Sequence, residues 1–210
     1  PISNRAAEKM LERVLHVDNT GFLPVVDLCN RLFRGWEKHV CEPDQCDRDI
    51  HNLLEKYPPH LKFTAAEERR GKRGLRKMGI PEGEKWVCLI VRDNAYLPQL
   101  QYHKHRDSDV FNYVPMALAL AQRGYYVVRM GAKVAGPFAV KHSKIIDYAT
   151  DGQRTDFMDM YLGAKCEFCV SNSTGFDAIP MVFRRPIVYV NQVPIEYLMT
   201  FNPRSLAIWK

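Results

Sequence analysis

Residues 155–191 read TDFMDMYLGAKCEFCVSNSTGFDAIPMVFRRPIVYVN, and their pattern decides the fold. Asp156 opens a helix whose apolar stripe is Phe157, Met160, Tyr161 and Ala164. A short strand over 167–170 follows, then the polar run Ser171-Asn172-Ser173-Thr174-Gly175. A second helix reaches Phe183, and 187–190 is a strand. Pro180 requires that this helix begin near Asp177 or that it be kinked. A small polar loop between a buried strand and a helix lets backbone N–H groups and hydroxyls converge on an anion. The expected ligand therefore bears phosphate, and a nucleotide fits best.

The residues upstream repeat the alternation. Residues 86–91 are apolar at every position, as in a central parallel strand. Ser108 precedes a helix with Val110, Tyr113, Val114, Ala117, Leu118 and Ala121 on one stripe, ended by Gly124. Strands follow over 125–129 and 144–147. Strand–helix alternation of this kind gives an α/β fold, a Rossmann-like parallel sheet with helices on both faces. Such sheets bind ligands outside the carboxyl ends of their strands. The residues leaving the strands are Arg92-Asp93-Asn94, Arg129-Met130-Gly131, Ser171 to Gly175, and Asn191-Gln192. Arginine forks match phosphate oxygens, so Arg92 and Arg129 are candidate phosphate ligands. The competing reading pairs them with carboxylates such as Asp93 or Asp156. The long connection 94–107 carries Tyr96, Tyr102, His103, Lys104, His105 and Arg106. Tyr96 and Tyr102 could stack on a base or sugar there, or the connection is a plain solvent loop.

Residues 1–80 read as a helical segment, part of a first domain or a linker from one, and 81–210 as the nucleotide-binding domain. Helix candidates lie at 4–15, 24–38 and 47–57. The clearest helix begins with a capping box at Thr64 and Glu67 and ends with Gly79, Ile80 packing on Leu75, and Pro81. Between Lys62 and Met78 stand seven basic and two acidic residues, so five of the chain's six net positive charges are local. The fold as a whole is then not a polyanion binder. The basic helix could touch nucleic acid or anionic lipid, or be a solvated face. The chain starts at Pro1 and stops shortly after Trp209, which suggests a fragment of a longer protein.

Several function classes lack their signatures. No apolar run approaches ~20 residues and no signal-peptide pattern opens the chain. With Cys88 and Cys169 inside apolar strands, the six cysteines fit a reducing compartment, and the expected location is cytoplasmic, peripheral to the inner membrane at most. The CxxC at Cys166 and Cys169 straddles a helix end and a strand, which disfavours a redox role. His39, Cys41, Cys46 and His51 have zinc-like chemistry without zinc-like spacing. GxGxxG, GxxxxGK[ST], HExxH and GxSxG are all missing. Neither a metal nor a cofactor is expected.

Residues 80–96, IPEGEKWVCLIVRDNAY, resemble the start of the second domain in a bacterial family of putative glycosyltransferases. His105-Arg106-Asp107-Ser108-Asp109, the run 124–131 and the run 155–191 fit the same family, so the resemblance covers roughly residues 60 to 200. That family is distantly similar to the α1,6- and protein O-fucosyltransferases, metal-independent enzymes of the two-domain GT-B fold. Their first motif is His-x-Arg, usually followed by another Arg. Arg92 matches the shared arginine that contacts the donor diphosphate, Ile90 replaces the histidine, and Asp93 replaces the second arginine. Asp156, Ser171, Ser173 and Thr174 match an Asp-led helix and a diphosphate loop. The resemblance implies transfer of a sugar from a nucleotide-diphosphate donor to a glycan or lipid-linked acceptor, without nucleic acid. Arg92, Tyr96, Arg106, Arg129, Asp156, Ser171, Asn172, Ser173, Thr174 and Gly175 would hold the donor. Asp93 is the nearest candidate base, or a partner of Arg92. Two other readings stand beside this one: a non-catalytic nucleotide- or glycan-binding module of the same fold, and a nucleic-acid-associated protein using the basic helix.

Overall fold

Strand β1 (Trp86–Ile90) is apolar on both faces, and both faces are covered. The computed structural model describes residues 4–16, 21–39, 49, 52–96, 98–99, 101–193, 195, 198 and 202–210. Among them, five further strands are β2 (Tyr126–Met130), β3 (Ile145–Ile146), β4 (Phe168–Ser171), β5 (Ile187–Gln192) and β6 (Leu206–Trp209). All pair in parallel, in the order β3-β2-β1-β4-β5-β6. The helices are α1 (Arg5–Leu11), α2 (Leu23–Asn30), α3 (Leu53–Lys56), α4 (Ala65–Lys77), α5 (Val114–Gln122), α6 (Asp156–Lys165) and α7 (Ala178–Val182).

The two-residue period of each strand sorts its side chains. Trp86, Cys88, Val128, Cys169 and Ile187 face Leu75 of α4 and Phe157, Met158, Tyr161 and Leu162 of α6. Val87, Leu89, Val127 and Val170 face Ala117 and Ala121 of α5, with Phe138 closing that layer. This is the α/β Rossmann-like sheet expected from the alternation.

The stop signals hold in detail. Thr64 and Glu67 form a reciprocal capping box. Gly79 has φ +83°, and the Gly79 and Ile80 amides donate to Arg76 and Leu75 carbonyls, a Schellman closure. Gly124 closes α5 the same way, with φ +95° and the Tyr125 amide on the Leu120 carbonyl. Pro180 falls in the first turn of α7, behind a 3-10 turn at Gly175–Asp177.

Several elements differ from expectation. The first candidate helix ends at Leu11, and the second stops at Asn30, followed by a 3-10 turn at Trp36–His39. The third falls partly outside the described residues; its described helix is α3. A sixth strand, β6, joins the sheet beyond β5. Helix α6 is buried from Phe157 to Ala164 on every side rather than along one stripe. Its outer side is covered by α1, where Met10 packs on Met160 and Leu61. Asn4 and the Arg5 amide tie α1 to Asp156. Cys41, Cys46, His51 and the side chains of His39, Tyr102 and His103 lie outside the described residues.

Helix α4 lies close on α6 because two of its residues have no side chain. A Cβ on Gly71 would fall 2.2 Å from the Tyr161 ring, and one on Gly74 would fall 2.3 Å from the Met158 sulfur. The Tyr161 ring is fixed by packing and by its hydroxyl, which donates to Glu68. The Met158 thioether can swing aside. Replacing a helical glycine with alanine gains ~1 kcal/mol of propensity, while overpacking a rigid neighbour costs ~1–3 kcal/mol. In thermal denaturation Gly71→Ala should therefore lower stability by about 1 kcal/mol, and Gly74→Ala should be neutral or slightly stabilising. Equal effects of the two substitutions would contradict this packing.

Candidate functional site

The strand order creates the site. The chain runs outward from β1 through β2 to β3, then crosses back to place β4 on the other side of β1. Connections leaving β1 and β4 diverge to opposite faces of the sheet, and a crevice opens between their carboxyl ends. A cavity of about 510 Å³ lies there. Arg92 and Asp93 line it from β1, Gly131 from β2, and Thr174 and Gly175 from β4.

Asn172 holds this crevice together. It is 1% exposed. Its Oδ1 accepts from the Arg92 amide at 2.7 Å, and its Nδ2 donates to the Arg106 carbonyl at 3.1 Å. One side chain thus joins the ends of β1 and β4 to the 3-10 segment Gln101–Arg106. Arg106 donates to the Ser173 carbonyl at 2.7 Å and to its hydroxyl at 3.4 Å. The same contacts hold Ser173 at φ +67°, a left-handed conformation that costs a non-glycine residue ~1–2 kcal/mol.

The polar loop therefore spends much of its chemistry on itself. Ser171 is fully buried, and its hydroxyl accepts from the Ser173 amide. Thr174 caps the following turn reciprocally with Asp177. The Gly175 and Phe176 amides make no hydrogen bond among the described residues. A Cβ on Gly175 would meet nothing within 4 Å, so the backbone stands open to the cleft. Two amide donors and the Arg92 guanidinium thus share one wall. Arg92 is 20% exposed and pairs with Asp107 at 3.4 Å.

Among the expected site residues, Arg92, Asp93, Tyr96, Thr174 and Gly175 line the cleft. Asp93 does not pair with Arg92. Its two oxygens accept the Ala95 and Ala135 amides, stapling the loop after β2 to the end of β1. Ser171, Asn172, Ser173 and Arg106 stand behind the wall and shape it. Arg129 is 1% exposed and points away, to the Gly136 carbonyl and Asp147. Its carboxylate partner is Asp147 rather than Asp93 or Asp156. Asp156 lies outside the cleft lining, bound to the Arg5 amide and to Arg154.

Besides Asp107, four charged cleft residues were not assigned to the site from the sequence. Lys104 and Lys133 are exposed cations at the mouth, and neither makes an ion pair among the described residues. Arg154 and Asp159 form the inner pair, with Nη2 to Oδ2 at 2.6 Å. Asp159 has the second oxygen buried without a partner among the described residues. Burial pushes its carboxyl up to about 6, with Arg154 and the Tyr148 hydroxyl pulling the other way. A residue three positions after Asp156, between two methionines, is the only signal the sequence carried for it. Apolar side chains line one end, among them Leu11, Leu61, Met160, Ile179 and Val182. Cys88 and Cys169 are buried away from water, which raises both thiols well above their ordinary value. No cluster of three or more His, Cys, Asp or Glu side chains fit for a metal occurs among the described residues.

Comparison with solved structures places the fold. One similar structure is a glycosyl transferase family 9 protein from Veillonella parvula DSM 2008. It is 12% identical, with a TM-score of 0.48, and the match covers 72% of this chain and 42% of that one. Another is E. coli ADP-heptose lps heptosyltransferase II. It is 14% identical, with a TM-score of 0.50, over 71% of this chain and 45% of that one. The chain thus spans less than half the length of either structure. At this identity the likeness is one of fold, a Rossmann-like α/β sheet. No protein-family model matches the chain, and no curated protein is similar to it.

Two measurements probe the site's construction. Asn172→Ala leaves the Arg92 amide and the Arg106 carbonyl unpaired, each costing ~1–3 kcal/mol if it stays buried. A melting temperature unchanged from the parent would deny Asn172 its role. For Asp159 the folded pKa lies above the usual carboxylate value. Its stabilising contribution is thus complete below about pH 4 and is lost as pH rises through about 6. Asp159→Asn should gain on the parent by about 2 to 3 kcal/mol between pH 4 and 8. A constant difference across that range would remove the buried carboxyl from the account.

Proposed function

We propose that the cleft binds a nucleotide-diphosphate sugar and that the chain is the donor-binding half of a metal-independent glycosyltransferase. The observation that carries this reading is the shared wall at the β1–β4 crevice. There the Arg92 guanidinium and the open amides of Gly175 and Phe176 face one cavity.

Breaking a sugar–phosphate bond leaves negative charge on the departing diphosphate. Preorganised donors aimed at that charge lower the barrier without reorganising as it forms. Arg92 and the two amides supply them, and Lys104 and Lys133 add positive potential at the mouth. Arg92 is already oriented by Asp107, so little side-chain entropy is lost on binding. The exposed ring of Tyr96 stands at the rim, where a sugar or base can stack. Asp93 positions the wall rather than taking a proton, because both its oxygens hold backbone amides. The proton acceptor for the incoming hydroxyl, on a glycan or lipid-linked molecule, then comes from the domain that faces the cleft.

The occupied carboxylate of Asp93 also favours the second reading, a module that binds nucleotide or glycan without transfer. Turnover separates the two: the enzyme releases free nucleoside diphosphate from a sugar donor, and the module does not. For the leading reading, calorimetry with UDP, GDP, ADP and their sugars should find at least one that binds. A charge-assisted contact is worth ~1.5–3 kcal/mol, so Arg92→Ala should weaken that binding by about 10- to 100-fold. Silence across the panel, or an Arg92→Ala variant that binds like the parent, would sink the proposal.

A further inference from the structure

We infer that the chain docks on an anionic bilayer surface through α2 and the outer face of α4. Two observations made independently converge on that partner.

The first is an apolar helix left in water. Phe22, Val25, Val26, Leu28, Leu32 and Phe33 are each more than half exposed, and α2 has no buried residue. Apart from Asp27, which pairs with Arg31, and Asn30, the helix is apolar, and apolar surface of this kind normally lies against something. Exposed apolar surface of this extent marks an interaction site. At eight residues α2 is ~12 Å long, far short of a span but suited to lie within a headgroup layer. No helix among the described residues is long and apolar enough to cross a membrane.

The second is a cationic stripe. Arg69, Arg73 and Arg76 recur at helical spacing on the outer face of α4, with Lys77 beside them. All four are exposed, and none is in an ion pair among the described residues. The carboxylates of the helix sit at its inner margin with cationic partners of their own, Glu67 on Arg13 and Glu68 on Lys165. Nothing acidic on α4 offsets the stripe.

The two surfaces are close along the chain. The Arg13–Glu67 pair pins the residues after α1 to the first turn of α4. Val14 and Leu15, next to Arg13, are also about half exposed. Six residues lie between Leu15 and Phe22, seven chain steps with a reach of at most ~25 Å. Cations with adjacent apolar side chains match lipid phosphates over an acyl layer. Nucleic acid fits less well. The stripe carries no aromatic ring on which a base could stack.

Co-sedimentation of the full chain with vesicles tests the inference. Vesicles of phosphatidylcholine with about 30% phosphatidylglycerol should capture it at about 50 mM NaCl and release it at about 500 mM, and pure phosphatidylcholine should not capture it. A cation near such a surface is worth about fivefold in affinity. The combined Arg69→Glu, Arg73→Glu and Arg76→Glu variant should therefore bind about 100-fold more weakly or worse. Leu28→Asn with Leu32→Asn should also weaken binding, leaving its salt dependence unchanged. These residues are exposed, so matching melting temperatures confirm that the variants fold. Equal capture by neutral vesicles, or a charge-reversed variant that binds like the parent, overturns the inference. So does tighter binding to RNA than to anionic vesicles, or a dimer in solution that α2 substitutions dissolve while vesicles capture nothing.

Discussion

Everything at the cleft depends on the lateral pairing of β1 with β4 and on the amide of Asn172 that finishes it. The ladder aligns Ile90 with Ser171, and one residue later the side chain of Asn172 takes over the backbone's role. It accepts the amide that β1 can no longer offer to a strand, and it donates to the segment that returns from the sheet edge. A buried side-chain amide with both ends used is expensive to disturb, because each lost partner strands a polar group away from water. Arg92 therefore leaves the sheet in a fixed direction. The other wall is fixed in the same way. Asp93 holds the loop after β2, Asp107 orients Arg92, and Thr174 with Asp177 caps the turn that presents Gly175. The cleft is rigid where anion donors converge.

The architecture was legible because its signals are local. Alternation of apolar strands and helices needs only a window of a dozen residues. The capping box at Thr64 and the glycines at 79 and 124 act within one helical turn. The polar loop after β4 and the arginine after β1 were likewise visible, because strand ends in a parallel sheet face one rim. Strand β6 was harder to see. It is four residues long, and Leu206, Ile208 and Trp209 remain largely exposed, so little burial reinforces its pattern.

What escaped the sequence was set by distant partners. Arg129 looks like a rim arginine, yet its guanidinium is drawn inward by Asp147, eighteen residues on. Asp93 looks like a base or an ion-pair partner of its neighbour, yet an amide forty-two residues away occupies it. Asp159 sits in a helix read as having one apolar stripe and a wet side. That side is covered by α1, so the carboxyl is enclosed, half partnered, and shifted toward neutrality. In each case the residue type was read correctly and its direction could not be. Direction depends on which element packs across, and no local pattern encodes that.

The join between β1 and β4 has a kinetic side. Strands β1 and β2 with α5 between them form a unit whose pairings span about forty residues, whereas the Arg92–Asn172 bond closes eighty. Contacts that close longer loops cost more chain entropy before they return any stabilisation. The β1–α5–β2 unit can therefore assemble while the cleft does not yet exist. A partly folded molecule would carry a hydrophobic sheet edge at β1 where the finished one carries its cleft. Closing the cleft and covering that edge thus depend on the same long-range contact.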